Sequence, residues 1–180
     1  MHETRHRAIS LTFGTIVATL GIFLLGSCAS TAPRPTSVQT TAKQYQVGRD
    51  DKVVVNVRPA PGVAVDEVAR QRVAQRVNRK IDDLKQKAAP SPLPRDYEVD
   101  VRLTRYEEGN AFARAMLAGL GQMHVDAHIT VFLLPDRIKV AEFDVEKTFA
   151  WGGIYGASMS IEDVEEGFAG GVAEGIAPSK

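Results

Sequence analysis

Three side chains that can bind a metal or transfer a proton stand at alternate positions in one short run. His124, Asp126 and His128 are spaced two residues apart, so in an extended strand they lie on one face. Their separation of roughly 6.6 Å is tolerable for ligands that share one ion. A carboxylate from Glu98 or Asp100 on a neighbouring strand would complete a site with two histidines and a carboxylate. That arrangement would support a metal-dependent or hydrolytic enzyme.

The same alternation is typical of an antiparallel strand with one solvated face. Apolar residues fill the intervening positions, namely Met123, Val125, Ala127, Ile129, Val131 and Leu133. No further cluster of His or Cys accompanies the three polar residues. We therefore expect a polar sheet face here, with no metal and no cofactor. The metal-dependent enzyme using His124, Asp126 and His128 is kept as the alternative.

Motifs for nucleophilic or phosphate chemistry are missing from the sequence. Neither Gly-x-Ser-x-Gly nor the phosphate-binding Gly-x4-Gly-Lys-Ser/Thr occurs. Ser158 and Ser160 follow a glycine-rich turn, have no assignable base and are explained as helix caps. The sequence thus predicts a protein that is not an enzyme.

Composition predicts one globular domain without affinity for nucleic acid. The chain has 180 residues, 44% of them hydrophobic and 24% charged, and its formal net charge is zero. These values are typical of an ordinary folded protein, and no bulk charge attracts it to nucleic acid. The single cysteine excludes an internal disulfide framework.

The first 28 residues have the pattern of a targeting segment. Arg5 and Arg7 give a positive start, and residues 8–25 are apolar apart from four hydroxyl side chains. The segment Leu25-Gly26-Ser27-Cys28 resembles the lipobox of bacterial lipoproteins, which implies cleavage before Cys28 and acylation of that cysteine with chains such as palmitate. Two or more acyl chains, each worth about 0.8 kcal/mol per buried methylene, anchor a protein stably.

The targeting segment predicts a division of the chain into three regions and a location in the cell envelope. Residues 1–27 are the lipoprotein signal peptide, residues 28–50 the lipidated cysteine and a flexible tether rich in Ser, Thr and Pro, and residues 51–180 a single domain. In lipoproteins of this type the lack of an Asp at position 29 resembles an outer-membrane address, and this analogy implies a domain that faces the periplasm from the outer membrane. Anchoring in the inner membrane stays open.

Hydrophobic periodicity predicts an α+β fold with element order β-α-β-β-β-α. Three- and four-residue spacings indicate helices, and strict alternation indicates strands. The predicted elements are a strand at 53–57, a helix at 63–88, strands at 97–103, 123–133 and 138–149, and a helix at 161–176. We expect a small antiparallel-rich sheet with both helices packed on one face. A one-residue phase slip in the last strand, after Val140, predicts a β-bulge.

Two further patterns allow alternative interpretations. Arg72, Arg76, Arg79 and Lys80 share one side of the first helix, which suits anionic lipid or a protein partner, or else a solvated face. Gly167, Gly171 and Gly175 form a strip on the last helix (every fourth residue). Such a strip suits close packing, either on this domain's own sheet or on a partner helix.

Two glycine-rich motifs carry a family resemblance. They are Gly109-Asn110-x3-Arg114-x4-Gly119-x-Gly121 and Trp151-Gly152-Gly153-x-Tyr155-Gly156. Together they resemble the bacterial lipoprotein family known as domain of unknown function 4410 (DUF4410), over about residues 53–176. The resemblance implies a small α+β envelope lipoprotein without an established activity.

A non-enzymatic role in assembly, transport or partner binding follows as the leading hypothesis. The expected partners are the membrane, through Cys28, and an envelope protein or further copies of the chain. The residues Gly109, Asn110, Arg114, Gly119 and Gly121 form a possible functional or structural motif. We expect the structural role, because one arginine without a paired acid or base defines no reaction.

Lipidation at Cys28 is directly testable. The protein extracted from membranes should have the mass of a chain that starts at Cys28, increased by its acyl groups. Cys28→Ser should abolish both processing and acylation, because the thiol is the acceptor. A soluble product that retains Met1, or unchanged membrane fractionation of the variant, would refute the assignment.

Overall fold

The computed structural model describes residues 36–39, 41–116, 120–149 and 158–177. The elements are β1 (Thr36–Gln39), β2 (Lys52–Pro59), α1 (Glu67–Lys87), β3 (Asp96–Glu107), α2 (Ala111–Met116), β4 (Met123–Leu133), β5 (Ile138–Phe149) and α3 (Ile161–Ile176). A short 3-10 helix at Lys43–Tyr45 precedes β2.

The strands form one mixed sheet in the order β1-β5-β4-β3-β2. Three of the pairings are antiparallel, and only β2 and β3 run parallel. Parallel neighbours need a long crossover connection, and α1 supplies it. The α+β class is therefore confirmed, while β1 and α2 are additions to the predicted element order.

The core lies between the sheet and the two long helices. Strand alternation places one set of side chains on the inner face of the sheet, where each of its members is at most 2% exposed. This set is Tyr97, Val99, Val101 and Leu103 of β3, Met123, Val125, Ala127, Ile129 and Val131 of β4, and Ala141, Phe143 and Val145 of β5. Each fully buried large apolar side chain contributes roughly 1.5–3 kcal/mol, so this face dominates the stability of the domain.

Helix α1 covers the inner face with a single apolar stripe. Asp66 caps it, because its carboxylate accepts a hydrogen bond from the Ala69 backbone N–H at 2.7 Å. The buried positions of the stripe are Ala69, Val73, Val77 and Ile81. Val68 lies outside this stripe and is 67% exposed. It neighbours Ala69 and so points about 100° away from the buried direction.

Helix α3 begins at a capping box and packs closely on β5. Ser160 and Asp163 exchange the reciprocal hydrogen bonds of that motif. A Cβ on Gly175 would overlap the ring of Phe143, and one on Gly167 would come within 2.8 Å of the Lys147 side chain. The glycine strip therefore serves packing on the domain's own sheet, as predicted.

Two β-bulges, one in β5 and one in β3, change which face of the sheet the following side chains point to. Val131 pairs with Ala141 and Phe132 pairs with Lys139, which leaves Val140 as the extra residue. This confirms the bulge predicted from the phase slip. A second bulge separates Leu103 from Arg105 in β3, and it turns Tyr106 to the inner side of the sheet, opposite Val125.

The folded domain includes residues that the sequence assigned to the tether. Residues up to 50 were predicted to be tether, but Thr36–Gln39 pair with β5 and Val47 is only 3% exposed. The Thr41 hydroxyl donates to the Gly175 carbonyl at 3.0 Å, and the Val47 N–H donates to the Ile176 carbonyl at 3.1 Å. The polar composition of this segment hid its role because backbone pairing needs no apolar pattern.

Substituting two glycines of α3 should distinguish the effect of close packing on stability from the effect of helix propensity. Gly175→Ala should destabilise the protein by about 1–3 kcal/mol, because the new methyl group meets the Phe143 ring. Gly170→Ala, which meets nothing within 4 Å, should instead stabilise it by up to about 1 kcal/mol. Urea unfolding of both variants measures this contrast. Equal effects of the same sign would contradict the proposed close approach of α3 to β5.

Candidate functional site

The connection between β3 and β4 is built around two glycines with left-handed backbone. Gly109 has φ 68° and Gly121 has φ 71°, conformations that favour glycine. The Asn110 N–H donates to the Gly121 carbonyl at 3.3 Å and closes the segment. Asn110 caps α2, because its side-chain oxygen accepts a hydrogen bond from the Ala113 N–H at 3.0 Å. Gly119 and the side chain of Arg114 lie outside what the structure describes.

This connection carries exposed apolar side chains. Phe112 and Met116 of α2 are 74% and 66% exposed, and Leu120 is 56% exposed. We call these three residues the apolar tip. Large apolar side chains grouped on a surface are typical of contacts with a partner or a membrane.

The His124-x-Asp126-x-His128 run lies on the face of the sheet opposite α1 and α3. We call this surface the outer sheet face. It consists of the outward side chains of β2, β3, β4 and β5, such as Arg58, Asp100, His128 and Asp144. The predicted alternation is thus confirmed.

Both ring nitrogens of His128 are engaged on that face. Nδ1 lies 2.7 Å from an Asp144 oxygen, and Nε2 lies 2.9 Å from a Glu142 oxygen. The hydrogen bond with Asp144, followed by that with Glu142, raises the pKa of His128. The pair of carboxylates therefore favours the imidazolium form, which cannot ligate a metal.

His124 and Asp126 have other partners. His124 is 6% exposed, and its Nδ1 lies 2.9 Å from the Thr148 hydroxyl. Asp126 accepts a hydrogen bond from the Lys147 backbone N–H at 3.2 Å, and burial raises the pKa of Asp126. Within the described ranges, no group of three His, Cys, Asp or Glu side chains is arranged to hold a metal ion.

The strand register also keeps the expected carboxylates from joining the two histidines. Glu98 lies opposite Phe132, whereas Glu107 lies opposite His124. Glu98 pairs with Arg137 and Asp100 pairs with Arg58. The combined site proposed from the sequence is not assembled, because the antiparallel register pairs Glu98 and Asp100 with the second half of β4, away from His124.

A buried ion-pair cluster joins the two long helices to β3. Glu165 of α3 is 0% exposed. Its two carboxylate oxygens accept from Arg72 at 2.7 and 2.8 Å, from Arg76 at 3.1 Å and from the Tyr106 hydroxyl at 2.8 Å. We call these four residues the Glu165 cluster. Hydrogen bonding to Glu165 raises the pKa of Arg72, while burial and then Glu165 raise the pKa of Tyr106.

The rest of the basic stretch pairs with the next residue of α3. Glu166 accepts from Arg76 at 3.0 Å, lies 2.7 Å from the Lys80 ammonium and also contacts Arg79. The hydrogen bond with Lys80 is the main cause that lowers the pKa of Glu166. The basic stretch is therefore paired with α3, an arrangement that neither interpretation included, while the Arg79 side chain stays 55% exposed. The acidic pair on α3 was the available signal for an interhelical network.

A cleft of about 680 Å³ lies at the opposite end of the domain from the apolar tip. The segment that precedes β2 and the end of α1 form its walls. Its buried acid, Asp51, accepts backbone N–H groups of Gly48 and Arg95 at 2.8 and 3.0 Å. These bonds hold the loop together, so Asp51 serves structure.

Among the helices in the described ranges, none combines the length and the apolar character that crossing a bilayer requires.

Comparison with known proteins places the chain by sequence and by fold. The family model "Domain of unknown function (DUF4410)" matches residues 40–153. No curated protein sequence matches the chain. Two PelC dodecamer structures from Paraburkholderia phytofirmans are 14% and 16% identical to it, with TM-scores of 0.55 and 0.53. Each alignment covers 81% of this chain and 99% of the PelC chain.

A structure from Caulobacter crescentus, named as a candidate lipoprotein, is 14% identical with a TM-score of 0.36. That alignment covers 67% of this chain and 82% of the other chain. The PelC likeness shows the fold, and the family match confirms the resemblance drawn from the two glycine motifs.

Neutralising the buried Glu165 should lower the free energy of unfolding far more than neutralising an exposed glutamate on the same helix. Glu165→Gln leaves Arg72 and Arg76 without a counter-charge and should lower the free energy of unfolding by roughly 3–5 kcal/mol. Glu174→Gln, at an exposed position of α3, should change it by less than about 0.5 kcal/mol. Thermal and urea unfolding measure both. Similar small effects would show that the Glu165 cluster does not hold the helices.

Proposed function

The chain belongs to the DUF4410 family, and on that premise we propose that it is a lipid-anchored envelope protein that works by self-association rather than by catalysis. The lipid sits on Cys28, and the domain faces the periplasm from the outer membrane. The proposal combines three elements: an anchor, an oligomer and the absence of enzymatic chemistry.

The observation that carries self-association is the extent of the PelC likeness. The alignment covers 99% of the PelC chain, and the PelC structure is described as a dodecamer of that chain. No extra domain of that subunit is thus left to account for its assembly. Because this chain has the same arrangement of strands and helices, we infer that it too assembles from several copies.

The outer sheet face is the surface best suited to contact a second copy. Helices α1 and α3 cover the inner face, and the cations of α1 are neutralised by α3. Neither α1 nor α3 covers the outer sheet face, which presents both signs of charge, as in the Arg58–Asp100 pair. At its edge, on β2, Val54 is 55% exposed. An apolar group rimmed by mixed charges suits a specific protein contact.

The geometry also supports a role without catalysis. His128 is occupied by two carboxylates, and the Glu165 cluster is a neutralising ion-pair network without a free base. The His-Glu-x-x-His pattern of zinc peptidases does occur once, at residues 2–6, inside the segment that signal cleavage would remove. Stoichiometric zinc in the purified protein, lost in His124→Ala/His128→Ala, would instead support the metal-dependent enzyme.

Self-association can be tested on the mature protein extracted in mild detergent. Light scattering coupled to size exclusion, together with native mass spectrometry, should give a discrete multimer. Val54→Asp should dissociate it by placing a charge in the contact. Leu93→Asp, a change at an apolar position that is 71% exposed but lies off the outer sheet face, is the matched control and should leave the multimer intact.

Two results would count against this proposal. A monomer at micromolar concentration, with the lipid present, would refute self-association. A multimer that resists Val54→Asp would refute the outer sheet face as its contact surface.

A further inference from the structure

We propose that the apolar tip, formed by Phe112, Met116 and Leu120, inserts into the surface of the membrane to which the chain is tethered. This inference rests on the proposed lipid anchor at Cys28. It adds a second, non-covalent point of attachment that would fix the orientation of the domain on the bilayer.

The apolar tip has the composition of an interfacial anchor. Its three side chains are 74%, 66% and 56% exposed. Phe112 and Met116 are four residues apart on α2, so they lie on the same side of that helix. Short segments that present aromatic and long aliphatic side chains are suited to the boundary between headgroups and acyl chains.

The apolar tip lies at a definite end of the sheet. It belongs to the connection between the last residue of β3, Glu107, and the first residue of β4, Met123. Met123 pairs with Phe149, the last residue of β5. Val68, in the first turn of α1, is 67% exposed at the same end.

The direction of β1 brings its first residue toward the end of the sheet where the apolar tip lies. Gln39 pairs with Glu142, and Thr36 pairs with Asp144. Following the chain backward from Gln39 to Thr36 therefore leads along β5 toward Phe149, where the apolar tip lies. Thr36, where the described part of this segment begins, therefore lies nearer the apolar tip than Gln39 does.

The remaining chain is long enough to complete the path. Eight peptide units join Cys28 to Thr36 and span up to about 28 Å when extended. The five residue steps from Asp144 to Phe149 cover roughly 17 Å. The length of this segment therefore allows an acylated cysteine to reach the level of the apolar tip, and for this reason we favour the lipid bilayer over a second protein as the occupant.

A fluorescent label can measure insertion directly. In the acylated chain the thiol of Cys28 is blocked, so Phe112→Cys introduces a single reactive thiol for an environment-sensitive dye. The full mature protein is placed in phosphatidylethanolamine–phosphatidylglycerol vesicles that contain lipids with a nitroxide near the headgroup. Ile138→Cys is the matched control, because Ile138 is apolar and 53% exposed but lies at the other end of β5.

The expected result is a blue-shifted emission and a severalfold quenching for the label at position 112, with neither effect at position 138. Equal, weak quenching at both positions while the protein sediments with the vesicles would overturn insertion and leave the lipid anchor standing. Cross-linking of two copies through position 112 without lipid quenching would also overturn it and assign the apolar tip to a protein contact. Failure to sediment, with a free thiol at Cys28, would instead refute the anchor on which the inference rests.

Discussion

The carboxylate of Glu165 is the constraint around which the domain is organised. A charge buried without partners costs several kcal/mol, so the fold is stable only when Arg72, Arg76 and Tyr106 all reach it. Those partners come from α1 and β3, while the acid comes from α3. Their simultaneous contact fixes how far each helix slides along the sheet, a property that apolar packing specifies only loosely.

The bulge in β3 is part of the same constraint. Regular alternation from Leu103 would turn Tyr106 outward, away from Glu165. The bulge before Arg105 reverses the phase, and the Tyr106 hydroxyl then lies 2.8 Å from the acid. A local irregularity in one strand thus determines whether a buried charge is satisfied, and through it the docking of two helices.

Patterns that depend on local burial could be predicted from the sequence. The alternation of β4, the phase slip at Val140 and the whole span of α3 followed from periodicity, because each reports directly which side faces the core. Elements defined by long-range pairing could not be predicted. β1 has no apolar pattern that would mark it as a strand. The carboxylates of Glu98 and Asp100 lie away from His124 because of the pairing register of β3 with β4, which the sequence of neither strand specifies. The Glu165 cluster unites residues that are up to 93 positions apart, a distance at which spacing carries no information.

The pairing of β1 with β5 has a consequence for how the chain reaches its folded state. Their residues are separated by more than one hundred positions, from Thr36 to Asp144, yet they are neighbours at the edge of the sheet. A polypeptide that is delivered from its amino terminus presents β1 first, long before the strand that will receive it. β1 therefore stays unpaired until nearly the whole domain has arrived, and the earliest segment becomes the last to be secured.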